Sequence, residues 1–173
     1  MKLGVFLALF LGATLAAAQA TIPKSDWEEA QEARNWTEIQ VALPPPPKGD
    51  LIEFQVSAAS SFRFFIDPQS VSVGADRVVR YTLVARSASG AQNVSYEGIR
   101  CAGAGSYRVY AFANSGAWSK STLVDWRSIE PKSVQRWHNE LHRRYFCPQG
   151  GLIQSGAEGV DALRRGGHPG LRE

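Results

Sequence analysis

The stretch VVRYTLVARS, residues 78–87, alternates between two sets of side chains along its whole length. A period of two is typical of a β-strand, because successive side chains of a strand point to opposite faces of the sheet. The pattern therefore predicts a strand whose two faces carry different residues. One face has Val79, Tyr81, Leu83 and Ala85, and the other has Val78, Arg80, Thr82, Val84 and Arg86.

Other strand candidates lie on both sides of this stretch. We expect the one at FRFFID to end at Asp67 and Pro68, because proline lacks the N–H that a sheet requires. Short turns, several of which contain glycine, separate the candidates, and this arrangement predicts an antiparallel β-meander of five to six strands. The candidates are LIEFQV (51–56), FRFFID (62–67), SVSV (70–73), NVSYEGIRC (93–101) and SYRVYAFA (106–113).

After the strands the apolar pattern changes to a helical period. The segment SVQRWHNELHRRYF, residues 133–146, predicts a helix between Pro131 and Pro148. We expect it to cover one face of the sheet, which gives an α+β domain over residues 49–150. A glycine-rich tail with one short helix should follow over residues 151–173. The helix has one apolar face formed by Val134, Trp137, Leu141 and Tyr145.

Two segments precede the predicted domain. Residues 1–20 combine an early lysine, an apolar run and a small-residue site ending at Ala20, the pattern of a cleaved secretory signal peptide. Residues 21–48 contain a predicted helix, residues 25–40, followed by four consecutive prolines that form a stiff spacer. The tryptophan stripe of this helix, which ends at Trp36, favours docking on the domain.

Composition and motifs limit the classes of function. The formal net charge of +3 is weak for a nucleic-acid-binding protein, and we expect no nucleic-acid partner. No later stretch has the length of a transmembrane helix, so we expect a periplasmic protein without a membrane span. The sequence contains no P-loop, dinucleotide fingerprint or G-x-S-x-G motif, and no cofactor is expected.

The chain contains two cysteines, Cys101 and Cys147. In an exported protein a single pair favours a disulfide, which here would hold the C-terminal helix against the sheet. The alternatives are free thiols and a catalytic thiol. A catalytic thiol needs a partner that lowers its pKa, and the sequence places no histidine beside Cys101.

Two histidines, His138 and His142, lie four residues apart on the predicted helix. This spacing resembles that of metal ligands, but Glu140 between them gives H-x-E-x-H rather than the H-E-x-x-H of zinc peptidases. We interpret the pair as part of the solvated face of an amphipathic helix. A metal site is the alternative.

Arginine and aromatic residues are interleaved on the predicted strands. Arginine offers a planar fork for carboxylate or phosphate and stacks on aromatic rings, so a ligand surface is one interpretation. The other is a half-exposed sheet face with cross-strand arginine pairs. The candidate ligand surface consists of Arg80, Tyr96, Glu97, Arg100, Tyr107 and Arg108.

Residues 64–101, FFIDPQSVSVGADRVVRYTLVARSASGAQNVSYEGIRC, resemble the cryptic neisserial protein family of exported bacterial proteins. YRVYAF, Trp126-Arg127 and the YFCP that ends at Pro148 are similar as well. The resemblance implies a periplasmic protein of the Gram-negative envelope and assigns no catalytic residue. We therefore expect a non-catalytic module that binds an envelope component or a periplasmic protein. The alternative is a thiol-redox enzyme or a metal-assisted hydrolase that uses the cysteines or the histidines named above.

Overall fold

An antiparallel sheet organises the part of the chain that the computed structural model describes, which is residues 35–56, 60–131 and 136–171. Six strands, β1 to β6, pair in sequence order, and a short β7 also pairs with β5. The predicted α+β class and antiparallel meander are confirmed. The strands are β1 (Ile52–Phe54), β2 (Phe62–Val73), β3 (Val78–Ser87), β4 (Gln92–Arg100), β5 (Ser106–Asn114), β6 (Ala117–Lys120) and β7 (Arg127–Ser128).

Helices cover one face of this sheet. Helix α1 (Arg136–Glu140) continues directly as a π-helix (Leu141–Phe146), and α2 (Gly156–Arg165) follows a 3₁₀ turn (Pro148–Gly150). The predicted helix over residues 133–146 is therefore confirmed from residue 136 onward, and its first residues lie outside the described ones. No helix in the described ranges has the length and apolarity that a membrane crossing requires.

The hydrophobic core lies between the sheet and these helices. Tyr81 and Leu83 of β3 enter it, on the face that the alternation predicted. Ile153, Ala162 and Leu163 are buried in the same core. The stretch after residue 150, which we expected as a glycine-rich tail, thus packs onto the domain, and α2 is its predicted short helix.

Strand β2 differs from the sequence prediction. We expected one strand to end at Asp67 and Pro68 and a separate one at residues 70–73, but β2 is continuous over Phe62–Val73. Its pairing with β3 is interrupted between Asp67 and Ser72. Pro68 is tolerated because it lies within this irregularity, where no ladder hydrogen bond requires its missing N–H.

The pairing of β4 with β5 contains a bulge. The register shifts between Tyr96 and Glu97, and Tyr110 of β5 is the residue without a register partner. An extra residue reverses the face to which the following side chains point. Tyr107 and Phe112, which an unbroken strand would place on opposite faces, therefore both line a cavity on the helix-covered face.

The face opposite the helices is crossed by residues 36–48, which we call the N-terminal segment. The predicted helix over residues 25–40 lies largely outside the described residues, as does the predicted signal peptide over residues 1–20. The described part corrects the end of that helix: from Trp36 onward the chain is not helical. The reason is that the side chains and backbone of this segment bond to the sheet instead of to one another.

One covalent bond joins the sheet to the helical layer. Cys101, which follows β4, forms a disulfide with Cys147, which follows the π-helix. Their Cα atoms are 5.4 Å apart, within the usual range for a disulfide. The bond holds the C-terminal helical layer against the sheet, as the sequence predicted.

Loss of this bond should destabilise the domain. The bond closes a separation of 46 residues, and the chain-entropy relation for such a loop gives about 4 kcal/mol. We expect the double variant Cys101→Ser/Cys147→Ser to lose roughly that free energy of unfolding in a urea titration. The wild type in excess reductant should match the variant, and equal stability of the variant and the oxidised wild type would contradict the expectation.

Candidate functional site

A carboxylate is buried between the sheet and α1. Glu97 lies on β4 and is 3% exposed. Its Oε2 lies 2.9 Å from Nε2 of His138 and accepts a hydrogen bond from the hydroxyl of Tyr81 at 3.0 Å. Its Oε1 accepts the hydroxyl of Ser95 at 2.6 Å. Three side chains from the sheet and the helix therefore converge on this carboxylate.

These contacts keep Glu97 charged. Burial by itself raises the pKa of a carboxyl, because it disfavours the charged form. The charge and hydrogen bond of His138, with the hydrogen bonds of Ser95 and Tyr81, outweigh burial and hold the pKa of Glu97 below its usual value. Burial, together with the charge of Glu97, raises the pKa of Tyr81 well above its usual value. Tyr81 is thus a neutral donor to a carboxylate.

The imidazole of His138 connects this carboxylate to the helix. The ring is 1% exposed and stacks on Tyr107, with ring centroids 3.6 Å apart. Its Nε2 also lies 3.2 Å from the indole nitrogen of Trp137, but one ring nitrogen cannot donate to Glu97 and accept from Trp137 at once. A carboxylate can only accept a hydrogen bond. We therefore assign a proton to Nε2 of His138, so that this nitrogen donates a hydrogen bond to Glu97 and does not accept one from Trp137. The buried Nδ1 has no hydrogen-bond partner among the described residues.

The interpretation of His138 and His142 as a solvated pair is wrong, because they are 1% and 8% exposed. The helix packs on the sheet, and Glu97 reaches His138 from there. His142 lies against Gly105, where a Cβ atom would be 2.5 Å from its Nε2. Burial lowers the pKa of His142, opposed by a hydrogen bond with the Cys101 backbone. In the described ranges, no three His, Cys, Asp or Glu side chains are grouped to hold a metal ion.

A cavity of about 350 Å³ lies on the helix-covered face. Its buried polar wall consists of Ser95, Glu97 and His138, exposed polar side chains also line it, and the rest is mostly aromatic and aliphatic. The exposed polar lining residues are Asn93, Asp125 and Arg127. Two of its aromatic rings, Phe64 and Trp137, are stacked with centroids 5.2 Å apart. Its other apolar lining residues include Phe62, Leu83, Ala85, Val109, Phe112 and Leu123.

Large apolar side chains of this lining reach solvent. Phe62 is 39% exposed, Phe112 is 46% exposed and Leu123 is 50% exposed. They come from β2, β5 and the loop before β7, and all three line the same cavity. Apolar side chains gathered in this way at the rim of a cavity are typical of a ligand-binding site rather than of scattered surface residues.

The structure divides the six residues of the sequence-based ligand surface between two faces. Glu97 and Tyr107 line the cavity on the helix-covered face. The other four, Arg80, Tyr96, Arg100 and Arg108, belong to the face that the N-terminal segment crosses. The six residues therefore do not form one continuous surface.

Arg80 is neutralised within the protein. It is 1% exposed and pairs with Asp76, with 2.6 Å between Nη2 and Oδ2. Burial by itself would raise the pKa of Asp76, but Arg80 and the backbone N–H of Ile39 hold it below the usual value. Arg80 also donates to the carbonyl of Ile39 at 3.2 Å, so the buried pair attaches the N-terminal segment to the sheet.

A second carboxylate of the N-terminal segment, that of Glu38, lies over the same face. It accepts hydrogen bonds from Arg108 and from the Tyr110 hydroxyl, each at 2.6 Å, and from the indole of Trp126 at 3.2 Å. The Tyr110 side chain reaches Glu38 across Gly98, where a Cβ atom would lie 2.5 Å from its hydroxyl oxygen. Glu38 is thus the hydrogen-bond acceptor for the donors Arg108 and Tyr110 on this face.

Aromatic contacts complete the attachment. The guanidinium carbon of Arg100 lies 3.6 Å from the ring centroid of Trp36. The Trp36 indole donates to the carbonyl of Asp76 at 2.7 Å, and the Trp118 indole donates to the carbonyl of Pro44. Arg80, Arg100 and Arg108 therefore bind the protein's own N-terminal segment. The sequence analysis did not predict that Glu38 and Asp76 pair with these arginines. Its one signal for the attachment was the expected docking of the tryptophan stripe that ends at Trp36.

A second cavity, of about 570 Å³, lies on this face beside residues 46–51 and 113–116. Its walls come largely from these two loops. Arg86, the cation on its sheet side, is stacked over Phe65 at 4.6 Å. This cavity has no counterpart to the buried Glu97 and His138 pair, so we take the cavity on the helix-covered face as the candidate site.

Comparison with known proteins identifies a protein family that matches this chain. The model of the CNP1-like family matches residues 31–164, which include the N-terminal segment, all seven strands and most of α2. No curated protein and no solved structure matches the chain. The extent of the match indicates that the N-terminal segment belongs to the family's common domain.

The charge of Glu97 should appear in the pH dependence of stability. Its folded pKa is below the unfolded value of 4.5, so its contribution is fully present above about pH 4.5 and is lost as the pH falls through the folded pKa. We expect Glu97→Gln to lower the free energy of unfolding at pH 7 by about 3 kcal/mol, because it removes the charged acceptor of three buried hydrogen bonds. Urea titrations at several pH values should show the difference from wild type shrinking in acid.

Asp125→Asn, at an exposed acid that also lines the cavity, is the matched control and should keep the wild-type pH profile. A Glu97→Gln variant whose stability deficit is the same at pH 7 and in acid would contradict the assignment of a charged carboxylate.

Loss of the Glu38 charge should loosen the N-terminal segment. Glu38→Gln weakens the hydrogen bonds from Arg108 and Tyr110, and we expect a loss of about 2 kcal/mol of stability. Hydrogen exchange should become faster at the N–H of Ile39, which bonds to Asp76 beside this site. Glu53→Gln, which breaks an exposed pair with Arg63, is the control and should leave both readouts unchanged.

Proposed function

The chain belongs to the CNP1-like family, and from that premise we propose that it is a non-catalytic binding protein of the cell envelope. The bound molecule is small and predominantly apolar, and it occupies the cavity between the sheet and α1. The observation that carries this proposal is the cavity itself, whose aromatic walls open to solvent between exposed apolar side chains. Its volume of about 350 Å³ suits a small molecule.

The placement of charge also supports binding on this face. A ligand that binds Arg80 or Arg108 on the opposite face would have to displace Glu38 and the N-terminal segment from these arginines. The cavity on the helix-covered face requires no such displacement, because its buried carboxylate, Glu97, already has three hydrogen-bond partners. A molecule can therefore enter without competing with an internal ion pair.

Export to the periplasm is part of the proposal. Buried disulfides form in oxidising compartments, and Cys101 and Cys147 are bonded and are 8% and 1% exposed. The signal-peptide pattern over residues 1–20 supports the same compartment. We also take the cryptic neisserial protein family, which residues 64–101 resemble, to be the CNP1-like family.

Catalytic alternatives have less support. Thiol exchange needs access for an attacking thiolate, whereas both sulfur atoms here belong to a bond at the buried junction of sheet and helix. A metal-assisted reaction at His138 and His142 would need further ligands, and His138 is engaged by Glu97. We therefore assign the cavity to binding.

Filling the cavity should abolish binding. N-phenyl-1-naphthylamine is an uncharged dye whose fluorescence rises in apolar surroundings, and we expect the wild type to bind it. Ala85→Phe places a ring in the cavity and should weaken binding at least about tenfold, which corresponds to about 1.4 kcal/mol. Ala117→Phe adds the same ring at an exposed site on β6 that lines neither cavity and should bind like wild type. Equal binding by all three proteins would contradict the proposed site.

A further inference from the structure

We propose that the cavity beside residues 46–51 and 113–116 is a second binding site. Its ligand is a small hydroxylated anion, such as an acidic sugar or a sugar phosphate, whose carboxylate or phosphate pairs with Arg86. The site lies on the sheet face that the N-terminal segment crosses, so it goes beyond the proposed function and does not depend on the apolar cavity.

Arg86 is the unneutralised cation of this cavity. Arg80 and Arg108 on the same face pair with carboxylates, whereas the side chain of Arg86 forms no ion pair or hydrogen bond within the described residues. Its Nε is buried without a partner, and its two terminal nitrogens, which also have none, reach solvent where the side chain lines the cavity. A partly buried charge without a partner favours the binding of an anion that supplies one.

A second arginine lies directly beside this cation. Arg63 of β2 is the register partner of Arg86 on β3. Like charges directly opposite each other destabilise a sheet. The charge of Arg63 is compensated by Glu53 of β1, whose Oε1 accepts a hydrogen bond from Nε of Arg63 at 2.8 Å. Because Glu53 pairs with Arg63, an anion bound in the cavity is needed to compensate Arg86.

An aromatic ring holds the guanidinium of Arg86 in place. The guanidinium carbon of Arg86 lies 4.6 Å from the ring centroid of Phe65, and that of Arg63 lies 5.3 Å from the same centroid. Phe65 is 6% exposed, so its ring is a fixed support for Arg86 in the cavity wall. A guanidinium that is already oriented loses little conformational entropy when its planar fork binds an oxyanion.

The polar side chains around Arg86 favour a ligand with hydroxyl groups. Gln92 is the register partner of Arg86 on β4, and Asn114 and Ser115 line the cavity from the end of β5 and the turn that follows. All three side chains are exposed, and their amide and hydroxyl groups both donate and accept hydrogen bonds, as sugar hydroxyls do. The cavity volume of about 570 Å³ suits a small molecule.

The loop over residues 46–51 adds charges of both signs. Lys48 and Asp50 line the cavity, and both are exposed. The cations Arg86 and Lys48 therefore outnumber the one lining acid, which gives the cavity a positive potential that attracts anions. Asp50 repels the same anions, so its charge should limit the affinity of the site.

The test titrates the full chain with glucuronate, glucose 6-phosphate and neutral glucose. Binding is followed by the backbone amide resonances of Gln92 and Asn114 and, in the wild type, by the Nε–Hε resonance of Arg86. We expect both sugar anions to bind at least about tenfold more tightly than glucose, the effect of one charge-assisted contact. Comparison of the two anions shows whether carboxylate or phosphate is preferred. Inorganic phosphate, which lacks the sugar hydroxyls, should bind more weakly than glucose 6-phosphate.

Three variants locate the anion, and their amide spectra show that each is folded. Arg86→Gln should weaken the binding of both sugar anions at least about tenfold and leave that of glucose unchanged. Asp50→Asn should strengthen the binding of the anions about twofold, because it removes a like charge. The matched control is Arg63→Gln, at the other arginine over Phe65, which does not line the cavity and should change the affinity by less than about twofold.

Several outcomes overturn the inference. If the sugar anions bind no more tightly than glucose, or if Arg86→Gln binds them as the wild type does, the pairing with Arg86 is wrong. An equal loss in Arg63→Gln assigns the effect to the general charge of the sheet and removes the site. Equal binding of inorganic phosphate and glucose 6-phosphate overturns the hydroxyl contacts. Failure of every probe removes the second site but not the apolar cavity, which is tested by a different dye and different variants.

Discussion

The central strands of the sheet are covered on both faces, and this constraint governs where the protein can place its charges. Arg80 and Glu97 are 1% and 3% exposed and lie on opposite faces of neighbouring strands. A buried charge requires a partner, so each must be met by the layer that covers it. Asp76 and the N-terminal segment meet Arg80, and His138 of α1 meets Glu97. One covering layer is therefore attached to the sheet through the buried positive charge of Arg80, and the other through the buried negative charge of Glu97.

Local patterns predicted most of the sheet because its strands follow them. The alternation over residues 78–87 assigned both faces of β3 correctly, and the disulfide was predicted from the single cysteine pair and the expected export. Pro68 misled the prediction of β2, because an irregularity in pairing depends on the neighbouring strand as well as on the local sequence. The departure of the chain from helix at Trp36 likewise depends on the sheet beneath it, which helical periodicity cannot report.

The candidate site was less predictable, since it depends on residues brought together from distant parts of the chain. Glu97 and His138 are 41 positions apart, and sequence reasoning placed them in two separate hypotheses, a ligand surface and a solvated helix face. Glu38 lies 70 positions from Arg108, so nothing local indicated that it would occupy the arginines. Side-chain spacing predicts which residues share an element, whereas the partners of a buried charge are set by packing between elements.

The extra residue in β5 gives this strand two segments of opposite phase. Tyr107 and Val109 contribute odd-numbered positions to the cavity, whereas Phe112, beyond the bulge, contributes an even-numbered one, and Ala113 near the strand end lines both cavities. A substitution in either segment changes a side chain on one face of the sheet. An insertion or deletion at Tyr110 would instead turn every side chain on one side of it to the opposite face. Cavity residues of relatives are therefore equivalent to these only when the two halves of the strand are aligned separately. A gap displaced by a few positions would attribute to the cavity residues that lie under the N-terminal segment.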